Sequence, residues 1–146
     1  MDDLESLNNK LLKTIELIER DKTRELEVIT NIAQSEIQLV TPVGTDPTDK
    51  HKGLLKKSIT HKMINSNTSE VGPGQEAYYA EAVNNGHMKR NVKVTDKSAY
   101  RGIRKHNPGG FVKGRHFMEK GIQNANPKME KELHNWLENI IKEAGE

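Results

Sequence analysis

Six histidines are the residues of this chain best suited to acid–base or metal chemistry, but their spacing favours neither use. They are His51, His61, His87, His106, His116 and His134. Two histidines four residues apart on a helix form a typical zinc pair, and no two of these lie that close. The chain has no cysteine, so a metal site would need histidines and carboxylates that are distant in sequence. We expect no metal ion, and we interpret these histidines as mostly solvated loop residues.

Serines and carboxylates are the remaining candidates for catalysis. The serines considered are Ser58, Ser66, Ser69 and Ser98. None has the Gly-flanked context of a nucleophile elbow. The carboxylates of Glu70, Glu76 and Glu81 have no feature that separates them from ordinary surface charges. We therefore expect no enzyme, and a histidine-dependent hydrolase with bound metal remains the weakest alternative.

Length and composition favour one domain with projecting parts. The chain has 146 residues, of which 33% are hydrophobic and 30% charged. This length suits a single domain, while the hydrophobic share is low for a globular protein. No apolar run approaches the 18 residues of a membrane span, and the acidic first ten residues do not resemble a signal peptide. The lack of cysteine fits a reducing compartment.

The charges are distributed very unevenly along the chain. The net charge is only +2, yet residues 1–41 carry −4 and residues 88–116 carry +8. The basic candidates for a partner interface are Lys89, Arg90, Lys93, Lys97, Arg101, Arg104, Lys105, Lys113 and Arg115. The acidic candidates are Glu16, Glu19, Glu25 and Glu27. Three interpretations stay open: the basic segment contacts nucleic-acid phosphates, it is a solvated arm, or it docks on the acidic helix of another copy.

A long helix is the first predicted element, over residues 4–40. Its apolar residues recur every three or four positions, which is the period of a helix. Asp2 or Asp3 can cap its start, and Pro42 ends it. Such a helix outreaches a domain of this size, so we expect its far end to be solvated or packed against another chain. The polar run at residues 19–22 is the expected bend or exposure point.

The middle of the chain predicts a small antiparallel sheet. Residues 41–53 read as a loop, and residues 56–64 and 68–72 read as a hairpin that begins the sheet at Leu54 and Leu55. Residues 77–84 favour either a short helix or a short strand.

The second half predicts a long basic loop and terminal helices. Residues 87–110 have weak structure signals, and residues 111–114 suit a short strand. Residues 116–125 look helical, and Asn126 with Pro127 is typical of the start of a separate final helix. The fold class predicted is α+β, with one domain divided into a helix (1–41), hairpin and sheet (42–87), basic loop (88–112) and C-terminal helices (113–146).

Three stretches in order carry a resemblance to a known family. They run over residues 33–59, 78–87 and 111–118, and their shared residues are Pro42, Gly53, Leu54, Ser58, Tyr79, Ala80, Gly86, His87, Phe111, Gly114 and Phe117. The ordered set resembles the small tail-completion or head–tail joining proteins of tailed bacteriophages and prophages. Asn84 stands where that family often has glutamate, and the link over residues 46–52 is longer than usual. The motif residues read as fold-holding positions.

The resemblance implies a structural role in a virion. Proteins of that family assemble as a ring, commonly a hexamer, between the portal or connector and the tail terminator or tail tube. They have no known cofactor. By this resemblance the chain is expected in the neck of a phage or of a tail-like bacteriocin, and in the host cytoplasm during assembly. Transient contact with packaged DNA is also expected, and a nucleic-acid-binding protein using residues 88–116 is the alternative.

Overall fold

The computed structural model describes residues 2–44, 47–48, 50–88 and 111–146. Its helices are α1 (Asp2–Val40), α2 (Leu54–Ser58), α3 (Ala80–Asn85) and α4 (Phe117–Gly145), with a 3₁₀ turn at Gln75–Ala77. Its strands are β1 (Thr60–Asn65), β2 (Thr68–Gly72), β3 (Gly86–Met88) and β4 (Phe111–Lys113). The α+β class is confirmed. Most of the predicted basic loop, residues 89–110, lies outside the described residues.

Helix α1 is continuous, as the apolar spacing predicts. Asp2, Asp3 and Glu5 lie in its first turn, where negative charge is favourable beside the unpaired backbone N–H groups. At the other end the Thr41 hydroxyl donates to the Ile37 carbonyl at 2.6 Å. A helix of 39 residues is about 58 Å long at about 1.5 Å per residue.

Helices α1 and α4 pack as an antiparallel pair. Lys128 of α4 pairs with Glu36 near the C-terminal end of α1, and Arg20 contacts Glu143 at 3.3 Å near the other end of α4. Beyond them, Lys13 Nζ donates to the Glu146 carbonyl at 3.3 Å. The predicted exposure point at residues 19–22 is therefore partly covered by α4. The last residues of α4, 144–146, line a shallow pocket together with residues of α1 between Asp2 and Lys13.

The predicted break between two C-terminal helices is wrong. Helix α4 runs through Pro127 without interruption. Proline inside a helix removes one backbone hydrogen bond and normally costs about 3 kcal/mol. Here Gly121 and Ala125 on one side of Pro127, and Ile140 and Ala144 on the other, are buried. The helix continues because burial of this face against α1 outweighs the local preference for an end.

The strands form two separate ladders among the described residues. Strands β1 and β2 pair antiparallel with Thr60 opposite Gly72, which confirms the predicted hairpin. The strand begins at Thr60, not at residue 56, and Leu54 and Leu55 belong to α2. Gly53, at φ 80°, makes the turn into this short helix. Strands β3 and β4 pair antiparallel with Gly86 opposite Lys113.

The core lies around the C-terminal end of α1. Its fully buried large side chains include Ile37, Ile59 and Phe117, with Tyr79 and Val83 of the α3 region packed on them. A smaller cluster around Leu17 and residues of α4 holds the helix pair farther along. None of the described helices has a stretch that is both long and apolar enough to cross a membrane. The residues 77–84 adopt a 3₁₀ turn followed by helix α3, the first of the two predicted alternatives.

Candidate functional site

An exposed apolar stripe runs along the N-terminal part of α1. It consists of Leu4, Leu7, Leu11 and Ile15, whose exposed fractions are 76%, 57%, 55% and 57%. We call these four residues the α1 stripe. They recur every three or four positions on α1, and their exposure shows that the nearby end of α4 leaves them uncovered. Clustered exposed apolar side chains of this kind mark interaction surfaces more often than scattered ones do.

The charge beside the α1 stripe changes along the helix. Asp2, Asp3 and Glu5 make the first turn acidic, while Lys10 and Lys13 follow it. Lys13 is engaged with the Glu146 carbonyl. The end of the helix therefore presents an apolar stripe with a negatively charged start.

A pocket of about 590 Å³ lies at the opposite end of α1. We call it the α3 pocket, because α3 forms one wall and the segment after α1, the start of α2 and the β3–β4 ladder form the others. Its partly or fully buried lining is apolar and includes Pro42, Leu54, Leu55, Ala82, Val83 and Val112. Its exposed lining includes Lys52, Lys113, Arg115, His51, His87 and Glu76. The pocket is thus an apolar hollow with a mainly basic edge.

Two glycines allow the backbone approach that forms one wall of the α3 pocket. Gly86 has φ 86°, and a Cβ there would lie 2.5 Å from the Val112 carbonyl oxygen. A Cβ on Gly114 would meet the backbone of Asn84 and Asn85. The chain after β4 is then held to α3 by backbone bonds, with Arg115 N–H donating to the Val83 carbonyl at 2.8 Å. This contact places the Arg115 backbone beside α3.

Asn84 joins the pocket wall to helix α4. Its Oδ1 accepts the Met118 N–H at 3.0 Å, and its Nδ2 donates to Glu119 Oε1 at 3.1 Å. The amide therefore caps the first turn of α4 from another element, in the manner of an N-cap side chain. Hydrogen bonds from the backbone N–H of Glu119 itself and from Asn84 hold the pKa of the Glu119 carboxyl below its ordinary value. Asn84 therefore has a structural role here.

The predicted basic interface residues are only partly described. Lys113 and Arg115 are exposed and lie at the edge of the α3 pocket. The other seven, Lys89, Arg90, Lys93, Lys97, Arg101, Arg104 and Lys105, lie outside the described residues. The structure therefore assigns the described basic candidates to the pocket edge, which the sequence did not indicate.

The predicted acidic interface residues have different surroundings. Glu16 is exposed, Glu19 pairs with Lys22 at 2.7 Å, and Glu27 lies 3.9 Å from His61 Nε2. Glu25 is buried against α4, so its predicted contact with another chain is corrected. Charge periodicity could not reveal this, because α4 covers that position only through the tertiary pairing of the helices.

The burial of Glu25 has an electrostatic consequence. Removal from water, and then the nearby Glu132 carboxylate, raise the pKa of the Glu25 carboxyl above its ordinary value. One of its oxygens has no hydrogen-bond partner, and neither does the Trp136 indole N–H beside the same helix pair. In contrast, hydrogen bonds from the Arg20 guanidinium hold the pKa of Asp21 below its ordinary value.

The residues that carry the sequence resemblance mostly hold the fold. Ser58, Ala80, Gly114 and Phe117 are buried, and the Ser58 hydroxyl donates to the Leu55 carbonyl at 2.7 Å. Phe111 differs because it is exposed, although its ring lies over Gly86. His87 is exposed at the pocket edge, which means that it is available to a partner.

The histidines and carboxylates do not converge on a reactive centre in the part of the chain that the structure describes. No group of three or more potential metal ligands occurs there. His61 Nδ1 lies 2.5 Å from Gln34 Oε1, and His134 Nε2 lies 3.0 Å from Glu138. These contacts join neighbouring elements or successive turns of one helix. The candidate surfaces described above offer recognition by apolar contact and charge.

Comparison with known proteins yields no match: neither a protein-family profile, nor a curated protein, nor a solved structure is significantly similar to the chain.

Proposed function

We propose that this protein is a non-enzymatic structural component of a phage or phage-tail-like particle. In this proposal it assembles as a ring at the neck and joins or completes the tail at the head–tail interface. The α1 stripe is the observation that carries the proposal, because it supplies an apolar surface for assembly. The motif order described above, with its resemblance to tail-completion proteins, supplies the setting.

Burial of Leu4, Leu7 and Leu11, which are exposed in the single chain, favours assembly. Complete burial of a leucine side chain stabilises a complex by about 1.5–3 kcal/mol relative to leaving it in water. Three such residues on one helix face supply a driving force that exceeds that of scattered surface residues. A contact with another protein chain is the natural means of burying them.

A ring of identical copies is the form of assembly proposed. Most homo-oligomers have closed symmetry, and a repeated head-to-tail contact closes when the rotation per copy is a simple fraction of a turn. By the resemblance the ring is expected to be hexameric. Its neighbours would be portal or connector proteins on one side and tail terminator or tail tube proteins on the other. The setting would be the virion neck, and the host cytoplasm during assembly, without a cofactor.

Charge supports the same proposal. The N-terminal helix is acidic, whereas residues 88–116 are strongly basic and end in the exposed Lys113 and Arg115. Opposite charges on separate parts of one chain favour contact between copies and accelerate their encounter. Such attraction weakens as salt screens it.

Sedimentation velocity over a range of protein and salt concentrations tests the proposal. We expect a discrete oligomer at low salt whose dissociation becomes easier as the salt concentration rises. A protein that stays monomeric at its highest soluble concentration would contradict the proposal. An oligomer of the same affinity at low and high salt would contradict the contribution of charge.

Nucleic-acid binding is the second candidate, and the basic edge of the α3 pocket favours it. Lys52, Lys113 and Arg115 are exposed there and can contact phosphates. Fluorescence anisotropy with a labelled DNA duplex tests this candidate. Salt-dependent binding that is lost when Lys52, Lys113 and Arg115 are neutralised would support it, and no binding at low salt would exclude it.

A further inference from the structure

We propose that the α1 stripe of one copy docks into the α3 pocket of a second copy. The contact joins two different surfaces of the same protein, one at each end of α1. This inference rests on the proposed function, because it names the contact through which the ring would form. It replaces a general attraction between an acidic helix and a basic segment with two defined surfaces.

The length of α1 requires the two surfaces to meet between molecules. The stripe begins at Leu4, whereas Pro42, immediately after the helix, lines the pocket. A continuous helix of 39 residues holds these two points on the order of 50 Å apart. Since α4 packs along much of α1, the helix cannot fold back on itself. The stripe therefore reaches a pocket only in another copy.

The chemistry of the pocket lining fits the stripe. The inner lining is made of aliphatic side chains such as Leu54, Val83 and Val112. Helices dock into apolar grooves through residues spaced three or four positions apart, which is the spacing of Leu4, Leu7 and Leu11. A volume of about 590 Å³ can accommodate several aliphatic side chains, since whole small ligands occupy pockets of about 300–1,000 Å³.

The charges around the two surfaces are also complementary. The first turn of α1 carries Asp2 and Asp3 ahead of the stripe. The pocket edge carries Lys52, Lys113 and Arg115 as exposed cations. Docking of the stripe brings the acidic turn close to this basic edge. Opposite charges at the border of an apolar contact favour the correct pairing and increase the rate of association.

The proposed contact is heterologous, because each copy inserts its α1 stripe into one neighbour and binds the stripe of another neighbour in its α3 pocket. An open chain of copies then has a free stripe at one end and a free pocket at the other. Such contacts continue until they close into a ring or extend as a filament. A two-fold dimer in which one stripe faces another would instead leave the pockets unused.

Thiol cross-linking tests the contact in the full-length protein, which has no native cysteine to interfere. Asn8→Cys places a thiol beside the stripe, and Lys52→Cys places one at the pocket edge. Lys62→Cys, at an exposed position of β1 outside the pocket lining, is the matched control. A short bismaleimide reagent is added to equal mixtures of two single-cysteine proteins. Only the mixture of N8C with K52C is expected to give abundant cross-linked dimer, several-fold above the mixture of N8C with K62C.

The possible results separate this inference from the proposed function. Oligomers that form normally in sedimentation but give no preferred link between positions 8 and 52 would overturn the contact and leave the ring proposal standing. Preferential linking of N8C to itself would show a two-fold pairing of stripes and would also overturn it. Equal linking of K52C and K62C to N8C overturns it as well. Proteins that neither oligomerise nor cross-link would overturn both proposals.

A pair of substitutions supplies a second measurement. Leu7→Asp changes the stripe, whereas Leu39→Asp changes an exposed residue of the same helix near its other end. Both sites are exposed, so both variants should fold. We expect at least about tenfold weaker self-association for L7D and little change for L39D. Equal effects of the two substitutions, or none at either site, would overturn the contact.

Discussion

Gly121 of α4 lies directly against Ile37 of α1. The two helices are so close there that no larger residue fits at position 121. A Cβ at Gly121 would stand 2.6 Å from both the Cα and the Cγ1 of Ile37. Ile37 is fully buried, so it has no empty space into which to move. This close contact packs α4 onto the C-terminal part of α1, and α1 in turn carries the stripe away from the core.

Gly121→Ala is therefore expected to destabilise the protein, although alanine normally favours a helix. Overpacking at a buried contact costs about 1–3 kcal/mol, which exceeds the gain of about 1 kcal/mol in helix propensity. Thermal unfolding followed by circular dichroism measures the difference. Gly145→Ala is the control, because a Cβ there meets no atom within 4 Å. Equal or higher stability of G121A would contradict the close packing of the helices.

Asn84→Ala is expected to destabilise α4 at its start. The substitution removes the acceptor for the Met118 N–H and the donor to Glu119, and loss of a capping side chain costs about 0.5–2 kcal/mol. Urea unfolding provides the measurement. Asn124→Ala, at an exposed position of the same helix, should be neutral or slightly stabilising. If both variants unfold at the same urea concentration, the capping role of Asn84 is wrong.

Glu25→Gln is expected to raise the melting temperature at pH 7. Folding raises the pKa of Glu25, mainly by burial and then by Glu132, so the folded state favours the protonated form. The associated stability is present below the ordinary pKa of 4.5 and is lost as the pH rises through the higher folded value. The advantage of E25Q should therefore shrink as the pH is lowered toward 4.5 and below.

Melting curves of E25Q and wild type across this pH range measure the effect, and Glu16→Gln at an exposed position is the control. A constant difference between E25Q and wild type at every pH would contradict the raised pKa. An E25Q protein that is less stable than wild type at pH 7 would show that the carboxylate makes a favourable contact.

Serine substitutions along α1 should separate its two halves. Leu17 is 7% exposed and packs on α4, so Leu17→Ser should cost about 2–5 kcal/mol. Leu7 is 57% exposed, so Leu7→Ser should change stability by less than about 0.5 kcal/mol at protein concentrations too low for assembly. Unfolding of both variants under dilute conditions measures this. A large loss of stability in L7S would mean that the stripe packs within its own molecule.

The helices and strands could be predicted from the sequence only where their apolar residues recur with a regular period. The spacing of apolar residues predicted α1 nearly to the residue. The start of α2 was mistaken for a strand, because Leu54 and Leu55 lie in a run too short to show a period. The continuity of α4 through Pro127 depends on burial against α1, which no local signal at Asn126 or Pro127 contains.

The candidate surfaces were predictable to different extents. The apolar face near Leu4 and Leu7 followed from the spacing of apolar residues, and its position away from the core followed from the length of α1. The α3 pocket did not, because its lining comes from several segments that only the fold brings together, from Pro42 to Arg115. Likewise the burial of Glu25 depends on where α4 lies. The spacing of residues within one segment does not show which distant segment will pack against it.

Native mass spectrometry of the full-length protein at low ionic strength tests the central claim most directly. We expect one dominant closed oligomer of defined copy number that is lost in the Leu7→Asp variant and kept in Leu39→Asp. A wild-type protein that remains monomeric, or a Leu7→Asp variant that assembles as wild type does, would contradict it.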